Sequence, residues 1–349
     1  MFARWTAAMA VTAMFAVAPA HADAVADFYR GKQIDLIVGS GPSGGYDTYA
    51  RLLARHFGDV IPGNPKVVVQ NMPGAGSLRA VNYLYNAAPR DGTVIGMFSR
   101  NMPLIGLLGA NSNVQFKPRK LTWLGSSSSF VNDAYILIVR KDAPVKSIED
   151  ARKAGGPPIV LGTTAEGVSS DSMGVVEKDM LGLNIKQVPG YTDGAALNLA
   201  FERGEIEARN VGLSSIRSTK PDWVKPGGLG NVLVVFGRSS RHRDFPNAPT
   251  ARELAKNDRD RNLIEILEIP YALSRPFAAP PGVPEDRAEA LVKAFMEAHK
   301  DPGYLDEAKK ANFDVSPIDG AEVLGLIKKI ADTPDDQLRN IEKLVEGGG

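Results

Sequence analysis

The apolar positions come first in short blocks and then, after Thr250, in longer helical stretches. Ile34 to Val38 is an apolar run broken only by Asp35, as in a strand buried on both faces. The glycine-rich stretch Gly39 to Gly45 follows it. Next comes Tyr46 to Phe57, whose Tyr49, Leu52, Leu53 and Phe57 share one helical face. Val67 to Val69 predicts a second strand, ended by Asn71-Met72-Pro73-Gly74-Ala75-Gly76. Leu78 to Ala87 then reads as a helix and Thr93 to Phe98 as a third strand. This strand–helix alternation predicts a doubly wound α/β unit.

The rhythm resumes further on. Strands are expected at Leu121 to Leu124, Ala134 to Val139, Ile159 to Gly162, Ile185 to Val188, Ala208 to Val211 and Val232 to Phe236. Helices are expected at Ser147 to Ala154, Ser169 to Leu181 and Asp193 to Arg203, the first opened by Ser147 with Asp150 in a capping-box position. A second α/β unit therefore fits between about residues 125 and 235. After Thr250 helices dominate: Thr250 to Asn257, Glu285 to His299, Gly303 to Ala311 and Gly320 to Ile330. The proline-rich stretch Pro276 to Pro284 reads as a surface connection. There is no internal repeat.

The amino end adds an address. Arg4, the apolar run Trp5 to Val17 and the small-x-small triplet Ala20-His21-Ala22 have the layout of a signal peptide, residues 1–22, cut after Ala22. The expected location is the periplasm. With no cysteine, the exported chain must rely on its core, which what remains of 349 residues without the leader can supply. The formal charge of +1 comes from interspersed acids and bases, without the basic stripe that nucleic-acid binding needs.

Two enzyme signals are weak. Gly39-Ser40-Gly41-Pro42-Ser43-Gly44 fits the dinucleotide fingerprint, but Pro42 removes an amide from the loop and the next strand ends in Gln70-Asn71 rather than an acid. After the leader only His56, His242 and His299 remain, too sparse for a histidine-built metal site, and there is no G-x-S-x-G elbow. His242, in the charged run Arg241 to Asp244, reads as part of a solvated loop, and the acid pairs Asp258/Asp260 and Asp335-Asp336 as surface charge. No catalysis, cofactor or metal is expected.

The glycine loops suit a different task. A loop that ends a parallel strand and opens a helix presents unpaired N–H groups and partial positive charge. Two such loops in one unit, Gly41 to Asp47 and Asn71 to Ser77, converge if their strands are neighbours. That makes an anion site. One helix end contributes about 0.3–1 kcal/mol, whereas micromolar binding needs about 8 kcal/mol. Several further hydrogen bonds and a second lobe that excludes water are therefore required.

These residues resemble the substrate-binding receptors of tripartite tricarboxylate transporters, the Bug-type proteins. The resemblance rests on Pro42-Ser43-Gly44-Gly45-Tyr46-Asp47, Val68-Val69-Gln70-Asn71-Met72-Pro73-Gly74-Ala75-Gly76, Ala88-Pro89-Arg90-Asp91-Gly92-Thr93, Gly190-Tyr191-Thr192-Asp193-Gly194 and Arg275 to Pro284. It implies a type II periplasmic binding-protein fold of two doubly wound α/β lobes joined by a hinge. Lobe 1 would comprise 23–125 and 237–349, and lobe 2 the insert 126–236. It also implies a monomer that holds a small organic acid between the lobes and hands it to integral membrane subunits. Carried across, Ser43, Gly44, Gly45, Tyr46 and Asp47 belong to the first ligand loop, and Asn71, Gly74, Ala75 and Gly76 to the second. Thr163, Ser169 and Ser170, with Tyr191 and Asp193, would face them from lobe 2.

Two positions depart from the family pattern. Tyr46 replaces a small hydroxyl residue, which predicts a narrower pocket floor or one able to stack on a ring. Arg209, on a predicted strand end, is either a partner for a second ligand carboxylate or a structural ion pair with Glu205 or Glu207. An exported sensory protein and an exported carboxylate enzyme remain as alternative readings.

Overall fold

The computed structural model describes residues 20–109, 112–130, 133–153, 155–164 and 169–346. Of the expected leader, 1–19 lie outside the described residues, and Ala20 to Ala22 begin the helix Ala20–Tyr29. The strands in chain order are β1 Gln33–Val38, β2 Lys66–Asn71, β3 Val94–Met97, β4 Thr122–Ser126, β5 Tyr135–Arg140, β6 Ile159–Gly162, β7 Ile185–Val188, β8 Ala208–Gly212, β9 Gly230–Phe236, β10 Pro276–Ala279 and β11 Ile318–Asp319. They form two sheets, ordered β11-β4-β10-β3-β1-β2 and β7-β6-β8-β5-β9. In the first, β1 runs parallel to both β2 and β3. In the second, β6 runs parallel to β7 and β8, while β5 is antiparallel to β8 and β9.

Each sheet is covered on both faces, which is why its strands read as apolar runs. From β1, Ile34, Leu36 and Val38 enter a core with Tyr49, Leu53, Phe57 and Phe295. Ile37 points the other way, to Val81, Leu84, Trp123 and Ile327. The second sheet repeats the arrangement, with Leu137 and Val139 on one side and Ile136 and Ile138 on the other. The helix Ile148–Arg152 carries the expected capping box between Ser147 and Asp150.

Two expectations need correction. Pro276 to Ala279 is no surface connection: it is β10, a buried strand between β3 and β4 and antiparallel to both. Pro276 is tolerated because it opens the strand. Phe277 and Ala279 face one core and Ala278 the other. The acid pair Asp258/Asp260 is surface charge as expected, Asp258 being 91% exposed, and it opens the helix Asp258–Glu268, capped by the Asn257 side chain, where acids suit the helix dipole. Finally, the segment after Gly237 does not serve the first sheet alone. Ala251, Leu263, Ile264, Leu267 and Ile341 are buried in the second sheet's core. The helix Ala251–Leu254 packs beside β9, an edge strand that would otherwise be bare.

The chain passes from the first sheet to the second between Ser126 and Tyr135. Phe130 there adopts φ 61°, and Gly237, just after β9, adopts φ 74°. A Cβ on Gly237 would lie 3.3 Å from the Phe130 ring, so the two connections pack on each other.

Candidate functional site

Because β1 and β2 are parallel neighbours, the loops that follow them emerge at one edge of the sheet. The first opens the helix Gly45–Val60 with Gly44 as N-cap, and no side chain caps it. Its first-turn amides are thus left without partners in the helix. Asp47 holds the loop from behind. Its Oδ2 accepts bonds from the Ser43 amide (2.9 Å) and Arg51 Nε (2.8 Å), and its Oδ1 from Asn71 Nδ2 (2.8 Å). Asn71 Nδ2 also donates to Ser40 O at 2.9 Å, which ties the second strand's end to the first loop. Burial opposes ionisation of Asp47, but the bonds from Arg51, Asn71 and Ser43 outweigh it and hold the carboxyl below the usual aspartate value.

This arrangement makes a prediction about stability. Asp47→Ala is expected to cost about 3 kcal/mol in urea unfolding at neutral pH, the scale of losing charged hydrogen bonds at a buried site. The depressed carboxyl contributes stability above the normal aspartate range and loses it as pH falls through its folded value. The gap between wild type and variant should therefore shrink on acidification.

The second loop is held in a rarer conformation. Gly74, Ala75, Gly76 and Ser77 have φ of 141°, 44°, 60° and 88° in succession, and Ser43 in the first loop has 66°. Non-glycine residues there carry about 1–3 kcal/mol of strain each, which the surroundings must over-determine. Ser77 shows how. Its hydroxyl donates to Gly39 O (2.9 Å) and accepts from the Ser99 amide (3.0 Å), joining the ends of β1 and β3 to the second loop. A Cβ on Gly39 would lie 2.6 Å from Ser77 Oγ, so Gly39 serves this close approach rather than a pyrophosphate.

Both loops line a cavity of about 540 Å³ between the sheets. Of the sequence-predicted residues, Ser43, Gly44, Gly45 and Tyr46 line it from the first loop and Gly74, Ala75 and Gly76 from the second. Ser170, Tyr191, Asp193 and Arg209 line it from the other side. Asp47 and Asn71 do not, because their polar atoms brace the loops. Thr163 is fully buried beneath the cavity, and its neighbour Thr164 takes the lining position. Ser169 opens the helix Ser169–Val175, but its side chain lies outside the described residues.

Two buried arginines in the lining escaped the sequence reading. Arg100 follows β3 and is 3% exposed; Arg275 precedes β10 and is 1% exposed. The Arg100 amide (3.1 Å) and Nε (3.3 Å) both donate to the Tyr46 hydroxyl. Its guanidinium stacks among Phe130, Tyr135 and Tyr271, 4.8–5.1 Å from their ring centres. Arg275 lies over Tyr46 and Tyr49 and donates to Ser215 Oγ at 2.7 Å, across the cleft. Tyr46 thus spends its hydroxyl on a cation. Burial opposes its ionisation, and Arg100 with Arg275 outweighs that and lowers its pKa. The only advance signal for these arginines was their place at the strand ends that border the loops.

Arg209 forms neither expected ion pair. Glu205 sits 3.6 Å from Arg203, and Glu207 accepts the Val160 amide. Arg209 Nη1 instead donates to Gly194 O (3.1 Å) and to Asn198 Oδ1. Burial pulls its pKa down to about 10, so it is charged at neutral pH. Asp193 caps the helix Gly194–Arg203 through the Ala195 and Ala196 amides. Its Oδ2 would lie 2.4 Å from a Cβ on Gly41, so the two sides of the cleft touch there.

The histidines lie elsewhere. His242 is 3% exposed rather than solvated, and its Nδ1 accepts the Asp244 amide. Among the described residues no cluster of three or more His, Asp or Glu could hold a metal.

The fold is that of solved periplasmic binding proteins. The periplasmic binding protein BugD is 19% identical with a TM-score of 0.70, over 92% of this chain and 99% of that one. An R. palustris protein solved with adipate is 17% identical with a TM-score of 0.69, over 90% and 97%. MatC from Rhodopseudomonas palustris with bound malate is 17% identical with a TM-score of 0.65, over 90% and 99%. Among curated proteins, the UPF0065 protein in the gbd 5' region of Cupriavidus necator is 27% identical over 88% of this chain and 86% of its own length. The family described as "Tripartite tricarboxylate transporter family receptor" matches residues 51–344, and the chain belongs to that family.

Proposed function

We propose that this chain is exported with its leader 1–22 removed, binds a small organic carboxylate between its lobes in the periplasm, and passes it to the integral membrane subunits of a tripartite transporter. It acts as a monomeric receptor, without turnover of its ligand. The lobes form about the two sheets: 23–125 and most of 237–349 about the first, and 126–236 about the second with the helices near 251–268 and 335–346. The observation that carries this reading is the convergence of two glycine loops, one of them an uncapped helix start, on a cavity lined by buried arginines. Bare amides and cations stabilise an anion and leave a neutral solute with nothing to offset their desolvation. The acids held by the similar folds, malate and adipate, are of the same chemical class.

A thermal-shift screen of the purified protein against organic acids and their uncharged amides tests this. A carboxylate present at a hundred times its Kd adds about 2.7 kcal/mol by mass action. That should raise the Tm by about 5 °C. If no acid moves the Tm and a sugar or a nucleoside does, the reading is wrong.

A further inference from the structure

We propose that Glu177 is a positioning residue for the ligand site: as a neutral acid it pairs edge to edge with the Asn210 carboxamide and holds the Asn210 carbonyl away from a bound anion. This rests on the carboxylate-receptor reading and adds to it a residue from behind the cavity wall.

Among the described residues the buried acids are Asp47, Asp133, Asp171, Glu177, Glu268 and Asp314. Five of them accept hydrogen bonds. Asp47 is held as described above, and Asp133 takes the Ala134 and Ser214 amides at 2.8 Å. Asp171 takes Gln187 Nε2 at 2.8 Å, Glu268 takes Arg252 Nε at 2.6 Å, and Asp314 takes the Ser128 and Ser316 hydroxyls at 2.6 Å. Glu177 is 0% exposed, and neither of its carboxyl oxygens has a partner. An ionised carboxylate left in that state is strongly destabilising. Burial accordingly pushes the Glu177 carboxyl well above the usual glutamate range, with only the Asn210 side chain pulling the other way.

The backbone puts this acid there. The helix Ser169–Val175 runs on into a π turn, Val176–Met180, a feature that recurs at functional sites. Glu177 is buried within that turn, while its neighbours Lys178 and Asp179 are exposed. Asn210, on β8, lines the cavity and is 1% exposed. Its Nδ2 donates to Ser170 O at 3.4 Å, and its Oδ1 has no partner. Three orphaned atoms therefore belong to one neighbouring pair of side chains: both Glu177 oxygens and Asn210 Oδ1.

A protonated carboxyl and a carboxamide are complementary, because each offers a donor beside an acceptor. The Glu177 O–H satisfies Asn210 Oδ1, and the second Nδ2 proton satisfies the other Glu177 oxygen. An ionised Glu177 would instead leave Oδ1 against negative charge. Tyr135 and Tyr271 lie in the field of Glu177 without bonding its oxygens, and Tyr135 spends its hydroxyl on Asn210 O. So paired, Asn210 gives its carbonyl to Glu177 and keeps the N–H that Ser170 O holds only weakly for an acceptor in the cavity. Without Glu177 the amide is free to turn its carbonyl toward the ligand, which repels an anion.

Infrared difference spectroscopy of the full chain and calorimetric titration with malate, adipate and benzoate test this together. At neutral pH, wild type minus Glu177→Gln should show the carbonyl band of a protonated carboxylic acid; a carboxylate band in its place would overturn the inference. Glu177→Gln keeps a donor beside an acceptor and should bind the best of the three acids within about twofold of wild type, whereas Glu177→Met should bind it about tenfold more weakly, the scale of one hydrogen bond to a charged group. A purely structural role would lower the Tm of Glu177→Met and leave its affinity at the wild-type level. That result, or equal losses of affinity in both variants, would overturn the inference and leave the carboxylate reading standing. If none of the three acids binds wild type, the carboxylate reading falls and this inference falls with it, whatever the infrared band shows. Should Glu177→Met fail to fold, Asn210→Ala decides. There the acid band should move, because its O–H has lost its acceptor, and an unmoved band overturns the inference.

Discussion

Gly45→Val should weaken ligand binding about tenfold to a hundredfold while the protein still unfolds cooperatively near the wild-type temperature. A Cβ at Gly45 would lie 2.5 Å from Ser215 Oγ, nearer than real Cβ atoms come, and 3.2 Å from Ser215 Cβ, a tight contact. Gly45 is the first residue of its helix, where a side chain is locally acceptable, so the conflict exists only across the cleft. Overpacking of this kind costs about 1–3 kcal/mol, and 1.4 kcal/mol is a factor of ten in affinity. Because an open protein escapes the clash, the cost falls on binding more than on folding. Ser215 cannot turn aside freely, since its hydroxyl accepts from Arg275 at 2.7 Å. Ser215→Gly in the Gly45→Val background should recover most of the affinity, and the double-mutant cycle measures the coupling. If Gly45→Val binds like wild type, the two lobes do not meet at this point in the liganded state.

The same contact shows what could be read from the chain alone. Glycine loops after parallel strands advertise themselves locally, because strand, turn and helix start follow one another in sequence. The seven loop residues that were expected in the lining and are found there were accessible for that reason. Asp47 and Asn71 were misplaced because sequence proximity to a loop does not say which side a polar side chain faces; here they face backwards. Arg100 and Arg275 were not singled out, for the opposite reason. Arg275 reaches the cavity only because β10 returns between β3 and β4, a long-range pairing across the sheet, while Arg100 does so because β3 lies beside β1. A four-residue strand that opens with proline carries little periodicity, so the return was read as a surface connection. The helices Asp258–Glu268 and Asp335–Glu346 were hidden by their charged first turns, and only their few buried positions betray a packed face. Arg209 was singled out, but its partners depended on the helix Gly194–Arg203 presenting Asn198 and the Gly194 carbonyl to it.

A second large effect is expected on acidification, and it centres on His299. This residue closes the helix Glu285–Ala298 and is 3% exposed, packed between Phe295 and Tyr304. Its Nδ1 lies 2.7 Å from Phe295 O, so that nitrogen carries the proton, and Nε2 has no partner. Burial pulls the pKa from 6.5 down to about 4, against the pull of the Phe295 carbonyl. The unfolded chain therefore takes up a proton below about pH 6.5 that the folded chain refuses until about pH 4. Stability is unaffected by this group above neutrality. It declines as pH falls through that window, by about 3 kcal/mol in all, since each pKa unit is worth about 1.36 kcal/mol. His299→Gln retains a donor for Phe295 O and cannot titrate, so its stability should fall less steeply over the same range. Urea denaturation at several pH values between 7 and 4 would show the difference. Parallel curves for wild type and variant would mean that His299 is already protonated in the folded protein or escapes to water, and that the neutral, buried tautomer is not the native form.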